Sequence, residues 1–530
     1  NAHVAAILKK RHRVLAKVTK KPTSRKVEMA GQTVDVNNPD GEMTYCPLDD
    51  TSSNKYYDGS AAKLDSSEGD WMMYEPFFWS KGVNDYLNEK YYSCYSSNGP
   101  DDMPPVPDVT VLTLDDIKGT QGGFLTERKL LSGKPTLKDS YSTDKTYSVC
   151  KVDVQGYKRV RFPSVPGTGL VGSLFVDGSG NVVKTIVVPT IGLKFEAGMY
   201  LISDVPEDAT ALHFSILNTA EFDKVVLSNS DKIEDMEPDW VANEEHLCAV
   251  VGSSVVGSKL RSCITGNSTT ASMNWIDFHY YSQQRGMQQI DALMHSRIAN
   301  LFYARYGRRD SQEQCGGGQH TNNRITGGTA GYGMQDTIGY DGAYKINNKI
   351  TNSLVDNNQI HQYAWYRGQD EYGSPTVTQV NNISCLGYED IYGHKYDMMD
   401  GVDLPNDSGN SGKWRIWMPD GSIRFVKGKT SSDQWITGVA HGKYMDMVPV
   451  GSANGSSSTY YCDKYYISTA VSRVVFRGYN NANANGGVSY ANANNDASNS
   501  NSNIGSRLAF RGRIVKAESV EAYKALSEKA

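Results

Sequence analysis

An asparagine-rich tract near the C-terminal end constrains the fold of this 530-residue chain more than any other feature. Ten asparagines lie within residues 480–503, interleaved with Ala, Ser, Gly and Tyr. A polar tract of this kind is ordinarily a loop or a linker. Here apolar runs flank it, Val474–Phe476 before it and Leu508–Phe510 after it. We therefore expect both ends to be held in strands, so that the fold presents the tract instead of leaving it free.

The tract has the composition of an adaptable binding surface. Tyr, Ser, Gly and Asn are the residues that antibody paratopes use for contact. The residues expected to lie on an exposed binding face are Tyr479, Asn480, Asn481, Asn483, Asn485, Tyr490, Asn492, Asn494, Asn495, Asn499 and Asn501. Ile504, Leu508 and Phe510, which follow them, are expected to lie in the core.

This tract resembles the variable region of proteins that are diversified by retroelements, which rewrite adenines of a target gene from a template copy. Asparagine codons begin with two adenines, so asparagine is the residue that such mutagenesis changes most broadly. The ending Asn-Ile-Gly-Ser-Arg-Leu-Ala-Phe, residues 503–510, is similar to the fixed end of such regions. In that family the variable region, here about residues 477–511, belongs to a C-type-lectin-like domain of the formylglycine-generating-enzyme type. Its best-known use is at the tips of bacteriophage tail fibres.

Two further segments resemble that family. Residues 69–81, Gly-Asp-Trp-Met-Met-Tyr-Glu-Pro-Phe-Phe-Trp-Ser-Lys, are similar to the strand that begins such domains in phage fibre proteins. Residues 386–402 are similar to the signature of the fold, although His394, Tyr396 and Met398–Met399 replace its usual asparagine and tryptophans. The resemblance implies an α+β, C-type-lectin-like fold with an inserted all-β sandwich and an N-terminal helix. The implied segments are an attachment segment at 1–40, the first part of the lectin-like domain at 41–107, the insertion at 108–238, and the main lectin-like domain at 239–530.

The inserted sandwich is predicted from strand patterns that recur about every ten residues and alternate with turn signals. The expected strands are Tyr157 to Phe162, Gly172 to Val176, Val182 to Val188, Met199 to Ile202 and Ala211 to Ile216. Glycine and asparagine between Phe175 and Val183 indicate a hairpin.

Helices are predicted in three places. Apolar residues at helical spacing favour a helix over 288–306, with Gly307 to end it and a strand before it over 275–281. Residues 1–28 read as a basic helix that either lies on a membrane surface or docks on a partner. The second reading is preferred because the apolar stripe is thin and lacks Trp and Phe. A terminal helix is expected over 515–530.

Composition limits the classes of partner that the chain is expected to bind. The net charge of −5 gives no electrostatic case for nucleic acid, and no apolar run is long enough to insert in a membrane. No signal peptide is expected, because no apolar run follows the N-terminal charges. Eight cysteines are scattered without C-x-x-C spacing, so buried free thiols are expected.

No catalytic chemistry is predicted. The segment Gly252 to Lys259 mimics a phosphate loop but lacks the Gly-Lys-Ser/Thr order, and no H-E-x-x-H or G-x-S-x-G motif occurs. Cys462 has no close cysteine neighbour, whereas the formylglycine-generating enzyme needs a pair. The acidic cluster at 397–407 is either a solvated loop, which is preferred, or a cation site. No cofactor and no metal are expected.

The sequence therefore predicts a phage tail-fibre or tail-tip protein that recognises a bacterial surface receptor, protein or glycan, through the tract. It would be made in the host cytoplasm and reside in the virion, attached to other tail proteins through its N-terminus. A homo-oligomer is expected, and a trimer would raise weak single-site affinity by avidity. The alternatives are a bacterial surface adhesin or lectin of the same fold, and an enzyme of the formylglycine-generating class.

Overall fold

The structure is a computed structural model and describes most of the chain. The described residues are 2–49, 55–85, 90–96, 109–117, 147–164, 173–186, 199–217, 225–230, 234–236, 241–263, 269–315, 360–369, 375–428, 431–451, 454–479 and 484–530. Three expected contact residues, Asn480, Asn481 and Asn483, lie outside them. The chain divides into two compact units. The first is Asn1–Ser80, Tyr95–Asp101 and Val241–Ala530, and the second is Lys81–Cys94 and Asp102–Trp240.

The helices are few and mostly short. Those that the described residues form are α1 (Ala2–Lys10), α2 (Leu114–Ile117), α3 (Trp275–Gln284), α4 (Ala292–Tyr306), α5 (Ser311–Cys315) and α6 (Val520–Ala525). Asp291 begins α4 by accepting a hydrogen bond from the Met294 N–H, and Gly307 ends it in the left-handed conformation. The predicted end of this helix is confirmed, and its start lies four residues later than expected.

Strands dominate the rest of the described chain. The strands before residue 113 are β1 (His12–Lys20), β2 (Ser24–Met29), β3 (Gln32–Asn37), β4 (Glu42–Pro47), β5 (Asp70–Glu75), β6 (Phe78–Asp85), β7 (Lys90–Ser96) and β8 (Val109–Leu112). Those up to residue 261 are β9 (Tyr147–Asp153), β10 (Arg159–Ser164), β11 (Ser173–Val176), β12 (Val182–Ile186), β13 (Met199–Asp204), β14 (Ala211–Leu217), β15 (Val225–Ser228), β16 (Glu234–Met236), β17 (Val241–Asn243), β18 (His246–Ala249), β19 (Ser254–Val256) and β20 (Lys259–Arg261).

The remaining strands lie in the second half of the chain. Up to residue 441 they are β21 (Gln288–Gln289), β22 (Ile360–Gln369), β23 (Pro375–Cys385), β24 (Tyr388–Glu389), β25 (Tyr396–Leu404), β26 (Lys413–Trp417), β27 (Ile423–Lys427), β28 (Ser431–Trp435) and β29 (Gly438–His441). The last are β30 (Met447–Gly451), β31 (Lys464–Ile467), β32 (Arg473–Arg477), β33 (Ala491–Ala493), β34 (Ile504–Ser506), β35 (Leu508–Phe510) and β36 (Arg513–Lys516).

The second unit contains two four-stranded antiparallel sheets, in the orders β13-β10-β15-β8 and β12-β11-β14-β9. Residues from both sheets share one apolar core, in which the rings of Phe162 and Phe214 are 5.4 Å apart. The five strands expected between residues 157 and 216 are all present, shifted by two residues or fewer at most ends. The β11–β12 hairpin turns at Asp177, and Gly180 has the positive φ that the turn needs.

The first unit is built on two large sheets. One has seven strands in the order β21-β35-β18-β5-β1-β4-β36, and the other has eight, β27-β26-β25-β32-β33-β31-β28 with β34 paired to β25. Helix α4 lies against β25, and its residues Met294, Ile298 and Leu301 are fully buried in the core. Strands β26 and β27 pair antiparallel as a hairpin, with Gly421 at positive φ in its turn.

The expected α+β, C-type-lectin-like fold is wrong. The structure is mostly β, with 45% strand and 13% helix distributed over several sheets. The segment 386–402, which carried much of the resemblance, forms the short strand β24 and most of β25, the third strand of the eight-stranded sheet.

The predicted basic helix over residues 1–28 is also wrong beyond Lys10. Residues His12–Lys20 form β1, which pairs with both β4 and β5 inside the seven-stranded sheet. The cations that were expected to face solvent are buried because they have partners: Arg11 pairs with Glu75 at 2.7 Å, and Arg13 pairs with Glu389 at 2.9 Å. The helix of the N-terminal segment is thus limited to Ala2–Lys10.

Two smaller helix predictions also need correction. The expected strand at 275–281 is helix α3, which begins at the Asn274 cap and buries Trp275, Phe278 and His279. The expected terminal helix over 515–530 is strand β36 followed by the short helix α6.

Candidate functional site

The asparagine-rich tract is anchored in the eight-stranded sheet. Strand β32 leads into it, β33 lies in its middle and β34 follows its last asparagine. Strand β33 pairs antiparallel with β32, where Phe476 faces Asn492, and parallel with β31, where Tyr465 faces Ala491. Strand β34 pairs parallel with β25. Both expected anchors are confirmed, and Ile504, Leu508 and Phe510 are in the core as predicted.

Main-chain hydrogen bonds hold the tract at intervals along its length. Carbonyl groups of the tract accept bonds from framework N–H groups in five pairs, each given with the acceptor first: Asn485–Lys464 (2.8 Å), Ala493–Ser468 (3.1 Å), Asn495–Val474 (3.0 Å), Asn501–Ser272 (2.9 Å) and Asn503–Tyr396 (3.0 Å). Each residue supplies such a carbonyl whatever its side chain. These five contacts therefore do not depend on side-chain identity.

Small apolar side chains of the tract point inward, and many amide side chains reach solvent. Ala491, Ala493 and Ala497 are at most 2% exposed. The described asparagines that are half-buried or exposed are Asn485, Asn494, Asn495, Asn499, Asn501 and Asn503. This segregation lets the alanines pack against the sheet while Asn494 and Asn495, between Ala493 and Ala497, reach solvent.

Tyrosines form a cluster at the start of the tract. The ring of Tyr490 lies 4.8 Å from Tyr479, edge to face, and 6.0 Å from Tyr396, stacked. Asn492 donates to the Tyr490 hydroxyl at 3.1 Å. Tyr490 is only 2% exposed and Asn492 only 8%, so the expectation that these two lie on an exposed face is wrong. Tyr479 is half-buried.

Burial has the largest effect on the pKa values of the tyrosines in this cluster. It raises the pKa of Tyr396 to about 12 and raises the pKa of Tyr490 further. Both phenols therefore stay neutral and serve as packing and hydrogen-bonding groups.

Residues remote in sequence hold the loop that precedes β33. The buried Asp463 carboxylate accepts the Ser489 N–H at 2.7 Å, and the Ser311 hydroxyl accepts the Val488 N–H at 3.0 Å. A Cβ on Gly487 would overlap the Asp463 carboxylate, so the glycine allows this close approach. Sequence reasoning missed Asp463 and Ser311, since neither carries a local motif.

The acidic cluster at 397–407 does not converge on one point. Asp397 pairs with Arg507 at 3.1 Å, Asp400 pairs with His279 at 3.0 Å, and Asp403 accepts from Arg415 Nε at 2.8 Å. These carboxylates are each engaged by a different element. Among the residues that the structure describes, no group of three or more His, Cys, Asp or Glu is placed to hold a metal ion.

Three other observations bear on function. Six cysteines described with their side chains, Cys46, Cys150, Cys248, Cys263, Cys385 and Cys462, are buried and free. None of the helices in the described ranges is long and apolar enough to cross a membrane. No family model matches this chain, and no curated protein is significantly similar to it.

Proposed function

We propose that this chain is a receptor-binding protein of a bacteriophage tail fibre or tail tip, and that it recognises a bacterial surface receptor through the retroelement-diversified tract at about 477–511. The observation that carries the proposal is the segregation within the tract. Ala491, Ala493 and Ala497 pack inward, whereas Asn494, Asn495, Asn499 and Asn501 reach solvent. A surface of this construction can change its contacts without changing its core.

The electrostatic character of the surface supports recognition by hydrogen bonding. Asparagine offers two donors and an acceptor but no charge, so it suits hydroxyl- and amide-rich receptors. Short amide side chains bury little apolar area, so the affinity of one copy is expected to be modest. A homo-oligomer such as a trimer would increase the apparent affinity for the receptor through avidity.

A cell-binding measurement tests the role of the surface. The labelled protein is incubated with a panel of bacterial strains, and a strain that retains it is used for comparison with variants. The quadruple variant N494A/N495A/N499A/N501A should lose most of its binding, because the direct contacts are removed while the backbone is still held.

The matched control carries Ser408→Ala and Asn410→Ala, which lie on another loop of the same unit, Ser408 exposed and Asn410 half-buried. It should bind as the parent protein does. Equal binding by the quadruple variant and the parent would exclude the tract as the receptor-contacting surface.

A further inference from the structure

A small pocket lies where the tract ends, and it contains a buried cation. The pocket is partly open to solvent, and its interior of about 10 Å³ has room for roughly one water molecule. Residues of four segments line it: Gly252, Thr269–Thr270, Asp390 with His394–Lys395 and Asp397, and Gly505–Arg507. It can therefore admit one small polar group at its open side.

The Lys395 ammonium has only neutral partners. It is 6% exposed, and its Nζ donates to the Thr269 carbonyl at 2.6 Å and to the Thr269 hydroxyl at 2.9 Å. Within the described part of the chain, no carboxylate forms an ion pair with it. A buried ammonium without a counter-charge is costly, and burial lowers the pKa of Lys395 to about 8.

Two other charges of the pocket are paired with each other. Arg507 donates from Nε to Asp397 Oδ2 at 3.1 Å, and its terminal nitrogens bond to main-chain carbonyls, including that of Asp390. The Ser506 hydroxyl, in contrast, is buried and makes no hydrogen bond to any residue that the structure describes. The Lys395 ammonium and the Ser506 hydroxyl can therefore both donate to a ligand.

We propose that this pocket binds an oxyanion, the carboxylate or phosphate group of a small ligand, through the Lys395 ammonium and the Ser506 hydroxyl. An anion supplies the counter-charge that Lys395 lacks, and it accepts a hydrogen bond from Ser506. The proposal does not rest on the receptor-binding role, because the pocket lies beyond the last asparagine and its residues are outside the asparagine surface.

Two probes distinguish the possible sources of the anion. The whole chain is titrated with inorganic phosphate or with acetate at constant ionic strength. Its thermal midpoint is followed, together with the Lys395 pKa from the ¹³Cε signal of labelled lysine, assigned by its loss in Lys395→Met. Binding of either probe should raise the thermal midpoint and move the Lys395 pKa back towards the ordinary value of 10.5. A response to phosphate alone assigns a phosphorylated ligand, and a response to acetate alone assigns a carboxylate.

Three variants distinguish loss of anion binding from loss of folding. Lys395→Met removes a buried charge, so it should fold and lose the anion-dependent rise in midpoint. Gly505→Ala keeps every charge but places a Cβ 3.5 Å from Lys395 Cδ and from the Thr270 carbonyl, which narrows the pocket. In Gly505→Ala, the anion concentration that gives half of the rise in thermal midpoint should be about tenfold higher than in the parent. Lys443→Met, at a half-exposed lysine paired with Asp420, should respond as the parent does. No response to either probe, or an equal response in Lys395→Met, would overturn the proposal.

Discussion

Asp463 and Ser489 are joined by a hydrogen bond of 2.7 Å from the Ser489 N–H to the buried carboxylate. This bond holds the loop that leads into β33. Burial of Asp463, outweighing its hydrogen bonds, raises its pKa from 3.8 to about 8. The carboxyl therefore keeps its proton in the folded protein through the neutral range, and the free energy of unfolding depends on pH there.

Stability should fall as pH rises through this window. The folded state keeps the Asp463 proton between about pH 4 and pH 8 while the unfolded chain releases it. One proton corresponds to at most roughly 1.4 kcal/mol per pH unit. In Asp463→Asn this slope should be absent, so its unfolding midpoints in urea from pH 5 to pH 8 should form a flatter curve than those of the parent. Asp420→Asn, at an exposed carboxyl whose pKa is lowered, should give a curve parallel to that of the parent. Parallel curves for both variants would show that Asp463 is ionised in the folded state.

Arg507 should be essential to the fold, although it adjoins the variable tract. It is 1% exposed, and it pairs with Asp397 as well as with four main-chain carbonyls. Arg507→Met leaves a buried carboxylate without its partner, and we expect a loss of about 3–5 kcal/mol in the free energy of unfolding. Chemical denaturation of the parent and the variant measures this loss in the free energy of unfolding. Arg513→Met breaks only an exposed pair with Glu42 and should cost less than about 1 kcal/mol. Similar costs for the two variants would contradict the assigned network.

Inward-facing and outward-facing positions of the tract should differ sharply in how well they tolerate a larger side chain. Ala493 is fully buried in β33, so Ala493→Leu should overpack the sheet and cost about 1–3 kcal/mol. Asn499 reaches solvent, and Asn499→Tyr should change stability by less than about 0.5 kcal/mol. Thermal unfolding of the two single variants checks this contrast. A destabilising Asn499→Tyr would show that the outward face is not free to vary.

His279 should contribute stability that disappears at alkaline pH. Burial lowers its pKa, but the Asp400 carboxylate at 3.0 Å and the Asp35 carbonyl at 2.7 Å outweigh burial and raise it above 6.5. The contribution is then fully present below pH 6.5 and is lost as pH rises through the raised pKa. The stability difference between the parent and His279→Gln, from calorimetry, should be largest near pH 6 and should shrink by pH 9. A difference that does not change with pH would mean that folding leaves the pKa of His279 at its ordinary value.

The sequence predicted local structure well where one periodicity was clear. The end of α4 at Gly307, five strands of the second unit (β10 to β14) and the apolar anchors of the tract all follow from local sequence patterns. Helix α3 was missed because its aromatic residues favour strands, whereas Trp275, Phe278 and His279 lie on one helical face. Local propensity was overridden by packing.

Long-range pairing explains the larger errors. Arg13 looked like a solvated cation, but it pairs with Glu389, 376 residues later, which places β1 inside a sheet. The burial of Tyr490 likewise depends on Tyr396. Nothing local to residues 1–28 or to the tract reveals these partners. A family-like signature could not supply them either, since residues 386–402 form sheet strands here.

The account's central claim is that the tract is a diversified binding surface, and deep sequencing of the gene from a propagating population tests it most directly. Reads are aligned over codons 477–512. We expect substitutions at adenines of the asparagine codons, including Asn494, Asn495, Asn499 and Asn501, with Ala491, Ala493 and Ala497 unchanged and variation ending near Ile504. A uniform sequence over these codons, with no template repeat nearby, would contradict the claim.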